Sequence, residues 1–488
     1  MKRLLFISIL VLSAAVGVSA QETETQTDTA SAPKIITLEQ ALRIAVSENA
    51  SVKVADMEVE RSGYERKGTY ASLFPQIDGS ATYQRTIKKQ VMYMDFDMSS
   101  MGGSDSGADT SGSSSSEDTS ASSADGFEVG RWNTWSAGIS ASMPLVNAQL
   151  WESIRVNARS VELAVEKARS SRLETVNQVK QAYFSCLLAK QAFEVYKSVY
   201  ENALENLNQT QRKYNAQRAS DLDLARAKTT LANAVPNVYD SESSVILSLW
   251  QLKAVMGVSL DENIDVAGSL EDYGDSMLYD YDQSEGLSLE NNSTLRQLGI
   301  QAEQLAATVR MQQYAYLPSL ALSFSYSLNA MTNDFQFSEY KWSPYSYIGI
   351  SLSVPIFSGG KRLNDVRQAK VQRAELSVQR EESERQIRIS IRQYLNQMET
   401  AMKSKSSAES ALESAQKAYD IASRSYEVGR STFTELNDAQ LALTQAQLTY
   451  SQAIYNFVSA KANLEGVLGA DFIDEDSNVQ LNKTYSNE

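Results

Sequence analysis

From residue 149 to 213 the chain carries neither proline nor glycine, and apolar residues return every seven positions. Val179, Cys186, Phe193, Tyr200 and Leu207 form one row, and Ala182, Ala189, Tyr196 and Ala203 form a second row three places on. Such spacing marks helices that pack along their length. At 1.5 Å per residue, ~60 residues span ~90 Å, and a rod that long does not collapse into a compact globule by itself. A second run repeats the design, with Ala408, Ala415 and Ala422 in sevens beside Leu412, Tyr419 and Tyr426. Together they predict long helices over 147–217, 220–256, 360–428 and 432–468, with Pro236 expected to kink or split the second.

The rods alternate with strands. In the stretch SYIGISLSVPIFSGG (346–360), Ile348, Ile350, Leu352 and Val354 alternate with Tyr347, Gly349, Ser351 and Ser353. One face is oily and the other polar. Pro355 ends the ladder, and Gly359 and Gly360 supply the turn into helix. The same alternation predicts strands over 77–87, 135–145, 319–329 and 345–355, with Pro144 expected to end the second as Pro355 ends the fourth. Thr37 and Gln40 form a capping box for a helix running to about Leu73, and another helix from about Ser288 ends before Leu317-Pro318.

Residues 1–20 read as a secretory signal and 21–35 as a flexible leader. A Ser/Gly/Asp-rich segment, 96–127, reads as an extracellular disordered loop, 258–286 as an acidic linker, and 470–488 as a polar tail. No long apolar run follows the signal, so transmembrane helices are not expected, whereas strands of ~10 alternating residues remain possible. The net charge of −15 argues against a nucleic-acid partner. With no histidine and one cysteine, Cys186, the usual zinc sites and Ser-His or Cys-His arrangements cannot be assembled. No enzyme activity, cofactor or metal site is expected.

Four strands cannot close a membrane barrel, since the smallest have about eight. Either the oily face is buried in a soluble sandwich, or several chains share one barrel continued by a helical tube. The polar opposite face suits a lumen. Aromatic residues gather at the strand ends, with Trp132, Trp135, Trp342, Tyr345 and Tyr347 near the loops and Phe74, Tyr314 and Tyr316 opposite, in the manner of interfacial belts.

The stretch 214–223, YNAQRASDLD, aligns without gaps with 426–435, YEVGRSTFTE, so the plan is written twice, over 36–257 and 287–469. This duplication, the Pro-Ile-Phe-Ser-Gly-Gly turn and the Tyr426-x-x-Gly429 to Glu435-x-x-Asp438-Ala439 turn resemble the TolC-like outer membrane efflux proteins. The resemblance implies a mainly helical mixed fold. Each protomer would give four membrane strands to a trimeric twelve-stranded barrel continued by a periplasmic helical barrel. It implies a passive, gated outer membrane exit duct for small molecules or proteins. The implied partners are two sister copies, outer membrane lipid, a periplasmic adaptor and an inner membrane transporter. Carried over by motif, Glu435 and Asp438 would form an acidic aperture ring, Tyr426 and Asp223 a hydrogen-bonded tip lock, and Gly429, Thr432 and Ser220 the tip turns. Thr432-x-x-Glu435 and Ser220-x-x-Asp223 also read as capping boxes. The alternative is a structural coiled-coil envelope protein or adhesin without a through-pore.

Overall fold

The computed structural model of the chain describes residues 33–92, 127–274 and 288–469. The signal, nearly all of the leader, most of the serine-rich segment, the later half of the acidic linker and the tail lie outside the described residues. The elements are β1 (Lys34–Ile36), α1 (Leu38–Glu48), α2 (Ala50–Ala71), β2 (Gln76–Arg85), β3 (Gln90–Met92), β4 (Phe127–Val129) and β5 (Asn133–Val146). After these come α3 (Ala148–Asn215), α4 (Asp221–Met256), β6 (Ile264–Val266), α5 (Ser293–Tyr314), β7 (Ser319–Thr332), β8 (Ser343–Ser353), α6 (Lys361–Glu427) and α7 (Phe433–Leu468).

The two rods, α3 and α6, set the architecture. Each is ~100 Å long at 1.5 Å per residue. The first half of α3 packs against α2 and α5, and α5 packs against α6; further along, α4 returns beside α3 and α7 beside α6, with α3 touching α7. The sheet stands at one end of this wall in the antiparallel order β2-β5-β7-β8. The paired tips of the hairpins α3–α4 and α6–α7 stand at the other.

The main core lies at mid-rod, forming a waist. Val179, Tyr183, Cys186 and Leu187 of α3 meet Leu395 and Met398 of α6, Ile454 and Phe457 of α7, and Leu252 and Met256 of α4. A two-stranded parallel sheet of β1 and β6 seals it, pairing Ile36 with Val266. The buried Tyr183 hydroxyl donates to the carbonyl of Ala267 (2.7 Å) and lies 3.2 Å from that of Ile36. Lys190 clamps Asp265 at 2.8 Å.

Several sequence expectations change here. The leader ends before Lys34, because Ile36 is needed to seal the waist. The described part of the acidic linker is packed rather than loose: Ile264, Val266 and Leu270 are buried, although Leu260 stays exposed. The helix expected over 37–73 is two helices. Asn49 breaks it, accepting the N–H groups of Ser51 and Val52 while its amide donates to Val255 O at 2.7 Å. Asn292 makes the matching joint before α5, accepting from Leu295 and donating to Val467 O at 2.6 Å. Helix α4 is not split at Pro236; one lost hydrogen bond is outweighed by packing along α3. Strand β2 stops at Arg85, short of Ile87.

Pro144 does not end β5. The strand passes through it, with an irregularity between Pro144 and Val146. Pairing with β2 stops at Ser142, so this stretch has one open side, where proline's missing donor costs little. Strand β8 does end before Pro355, at Ser353.

Candidate functional site

The two tips share one backbone design. After α3, Gln217 N–H bonds Tyr214 O and Arg218 N–H bonds Lys213 O; after α6, Gly429 N–H bonds Tyr426 O and Arg430 N–H bonds Ser425 O. Both are Schellman closures, which need a left-handed residue. Gly429 supplies it at φ 76°, and Gln217 adopts it at φ 58° despite its side chain. Ser220 and Thr432 then cap the returning helices. Asp223 N–H donates to Ser220 Oγ at 3.1 Å and Glu435 N–H to Thr432 Oγ1 at 3.3 Å. The two carboxylates reach back to the cap N–H groups, Asp223 at 3.3 Å and Glu435 at 3.0 Å. Both capping boxes are therefore complete.

Between the tips lies a small apolar cluster of Ala227, Tyr426, Phe433 and Leu436. The Tyr426 hydroxyl is 2.6 Å from Thr210 Oγ1 in a buried contact. The Thr210 proton is already given to Asn206 O at 2.7 Å, so Tyr426 is the donor. The Lys213 ammonium donates to the Tyr426 carbonyl and sits 3.9 Å from its ring centroid, a cation–π contact. Burial holds the Lys213 ammonium below its ordinary pKa, with Glu427 opposing. Burial also pushes the Tyr426 phenol up, Thr210 pulling the other way and Asp223 adding to the rise. Two further links cross between hairpins, Arg226 to Thr434 Oγ1 at 3.0 Å and Thr230 to Asn437.

Within one chain, then, Tyr426 is held by Thr210 and Lys213, while the Asp223 carboxylate is spent on its own cap and reaches Tyr426 only as a nearby charge. Glu435 and Asp438 are both exposed on the first turns of α7. Glu435 caps while remaining open to solvent, so the two roles read from sequence are compatible.

At the other end, the sheet register puts Ile77, Ala141, Phe324 and Ile348 in one row across all four strands. The next row, on the opposite face, is Asp78, Ser140, Ser325 and Tyr347. Ile348 is 73% exposed, Ile350 68% and Leu352 65%, so the oily face has no cover from its own chain. Tyr83, Trp135, Phe335, Phe337 and Tyr340 form a chain of ring contacts at the loop end of that face, as expected of a belt. Tyr345 and Tyr347 do not belong to it. They pair with Ser327 and Ser325, on the serine face, because a strand sends odd and even residues to opposite sides. The handovers to helix also differ. Asn147 alone separates β5 from α3, capping it through Leu150 N–H at 3.0 Å, whereas β8 reaches α6 through Pro355 and two left-handed glycines, Gly359 and Gly360.

The sequence profile described as "Outer membrane efflux protein" matches residues 41–258 and 286–470. The chain belongs to the outer membrane efflux protein family. Among curated relatives, it is 24% identical over 240 residues to the alkaline protease secretion protein AprF of Pseudomonas aeruginosa, covering 49% of each. It is 22% identical over 244 residues to the outer membrane protein TolC of Vibrio cholerae, covering 48% of this chain and 54% of that one. The chain thus spans about half the length of the curated relatives it matches. Its fold is that of the Campylobacter jejuni CmeC outer membrane channel, with TM-score 0.69, 19% identity and coverage of 92% of this chain and 90% of that one. It likewise matches the Vibrio cholerae outer membrane protein VceC, with TM-score 0.65, 15% identity and coverage of 89% and 97%.

For an efflux-family chain, the residues that sequence reading missed are Thr210 and Lys213. Thr210 continues the row Ala182, Ala189, Tyr196, Ala203 by another seven, placing a hydroxyl at a core position. That break in an apolar row was the available signal. Lys213 carried none, since a basic residue in the last turn of a helix is ordinary.

Proposed function

We propose that the chain is the outer membrane subunit of a passive, gated exit duct. Three copies close the sheet into a twelve-stranded barrel continued by a periplasmic tube. One observation carries this: the wall has the same two free edges in both layers. Strands run β2-β5-β7-β8 and upper helices run α2-α3-α5-α6, so β2 and α2 share one edge and β8 and α6 the other. A head-to-tail contact that joins β8 to the next copy's β2 also joins α6 to its α2. Both helical edges carry exposed apolar residues for that purpose, Val54, Met57 and Tyr64 on α2 and Leu363, Val371 and Val378 on α6. Closure would pair the open strands and put the oily face in lipid, as an uncovered membrane sheet requires. Three as the copy number is supported by the likeness to the TolC-type channels, and the paired joints at Asn49 and Asn292 support an internal duplication.

In this reading the protein is exported with a cleaved signal, sits in the outer membrane and extends into the periplasm. There it meets a periplasmic adaptor and an inner membrane transporter for efflux or secretion, in keeping with relatives named for secretion and as outer membrane proteins. Glu435 and Asp438 from three copies line the entrance and favour cations. No observation favours the spacer or adhesin reading, which leaves a polar lumen face without purpose.

Planar-bilayer recording of purified full-length protein tests this. The expected result is discrete cation-preferring currents from a species with the mass of three chains. E435A/D438A should reduce the cation preference and relieve divalent block. Monomers, or trimers without unitary currents, would overturn the duct; unchanged selectivity in the double variant would overturn the acidic ring.

A further inference from the structure

On the serine face the four strands carry Ser, Gly, Thr, Gln, Ala and Asn almost throughout, and two aromatic rings stand out. Tyr345 is 60% exposed and Tyr347 47%. Their ring centroids are 5.8 Å apart at an interplanar angle of 45°. Each faces a serine across the strand pair, Ser327 and Ser325, too small to cover a ring. Two other serines of this face bond their own sheet, Ser323 to Gly349 O (3.3 Å) and Ser351 to Ala321 O (3.4 Å). Tyrosines that serve as membrane anchors belong on the lipid side, where Tyr83 and Trp135 already stand. These two lie on the wrong face for anchoring and are not buried for packing.

One charged side chain shares this face among the described residues of the four strands: Asp78 of β2, which is exposed. The other strand charge, Arg85, is on the oily side by parity. Asp78 lies in the same transverse row as Tyr347, joined through Ser140 and Ser325. Within one chain the two are three strands apart, about 14 Å. Resting on the shared-barrel reading above, closure brings β8 of one copy beside β2 of the next. Three carboxylates and three tyrosine pairs then line one stretch of a mostly small-residue lumen, offset along its axis by the tilt of the strands.

We infer that Tyr345, Tyr347 and Asp78 form a transit station in the barrel lumen for planar aromatic cations. The tyrosine faces stack on a flat ring and attract its positive charge through their quadrupoles. Asp78 adds a carboxylate to the same stretch of lumen, and the short serine side chains leave room for a flat ring above the sheet. Contact with few partners in an open lumen gives brief residence, which suits a surface that cargo must leave as well as enter.

The test is current block of the purified full-length channel in planar bilayers. Ethidium serves as the planar aromatic cation, tetrapropylammonium as a cation without a ring, and a planar aromatic sulfonate as an anion. Ethidium should interrupt the current at lower concentration than the other two. Y345A/Y347A should raise its half-blocking concentration about tenfold with unitary conductance retained, Y345F/Y347F should keep the block, and D78N should weaken it by a smaller factor. Y345L/Y347L, which keeps bulk without a π face, should behave as the alanine pair and stands in for it if that pair forms no channels. A conducting channel in which ethidium block is unchanged by the alanine and leucine pairs, or no stronger than tetrapropylammonium block, overturns the station and leaves the duct intact. A wild-type protein that never conducts overturns both.

Discussion

The waist and the sheet are opposite solutions to burying apolar surface. At the waist one chain supplies everything: two rods, two returning helices and a two-strand seal surround Tyr183, Cys186 and Met398, and the tyrosine's hydroxyl is satisfied on backbone carbonyls. In the sheet the same chain leaves Ile348, Ile350 and Leu352 uncovered, with β2 and β8 as open edges. The difference teaches where stability resides. The waist is complete within one protomer; the sheet, on the proposed shared-barrel reading, is completed by copies and lipid.

The largest expected effect breaks the waist. Tyr183→Ala removes a buried ring and leaves the Ala267 carbonyl short of its donor, costing about 3–5 kcal/mol; denaturant titration in detergent should register it whether or not the protein is trimeric. The waist also has an alkaline limit. Burial pushes the Cys186 thiol up to about 11 and the Tyr183 phenol up to about 12. Both groups favour the folded, protonated form, so stability is full below pH 9, falls between about 9 and 11 as the unfolded thiol ionises and between about 10 and 12 as the unfolded phenol does, and is lost once pH has passed the folded values. Thermal unfolding measured between pH 8 and 12 checks the sign; a waist that strengthens with alkali would contradict it.

A sheet substitution should act through assembly instead. Ile350→Lys puts a charge on the exposed oily face, at a cost of about 2–4 kcal/mol if that face meets mid-bilayer as proposed. The fraction of trimer on native gels should fall while helical circular dichroism stays unchanged. Loss of helix in that variant would mean that the waist and the sheet are coupled.

The tips lie between these regimes, closed within one chain but by few contacts. Tyr426→Phe removes the bond to Thr210, worth about 1 kcal/mol, and should raise conductance of the closed channel, whereas Tyr214→Phe at the equivalent place in the first tip should not. The smallest effect is a gain. Gln217→Gly relieves a left-handed non-glycine residue by about 1 kcal/mol, visible as slower amide exchange in the first tip.

Much of this was legible in residue order because it depends on local repetition. The seven-residue rows of the rods and the turn and cap signals between hairpin arms placed the ends of α3, α4, α6 and α7 within two residues, since both are local signals. Period-two alternation separated Ile348 from Tyr347 for the same reason. Local pattern could not show that Asn49 divides a helix, because its amide is satisfied by Val255, 206 residues away. Nor could it show that an acidic stretch seals a core: Val266 is buried only once β1 arrives beside it.

Sequence alone thus determined the rods, the two-faced strands and the paired tip turns, all set by hydrogen bonds and side-chain spacing over a few residues. Tertiary structure alone decided that, within one chain, Tyr426 is clasped by Thr210 and Lys213. It also gathered the waist around Tyr183 and made Asp78 and Tyr347 share a row. Those outcomes depend on which helix or strand lies alongside which, a choice made by packing over the whole wall and written in no single segment.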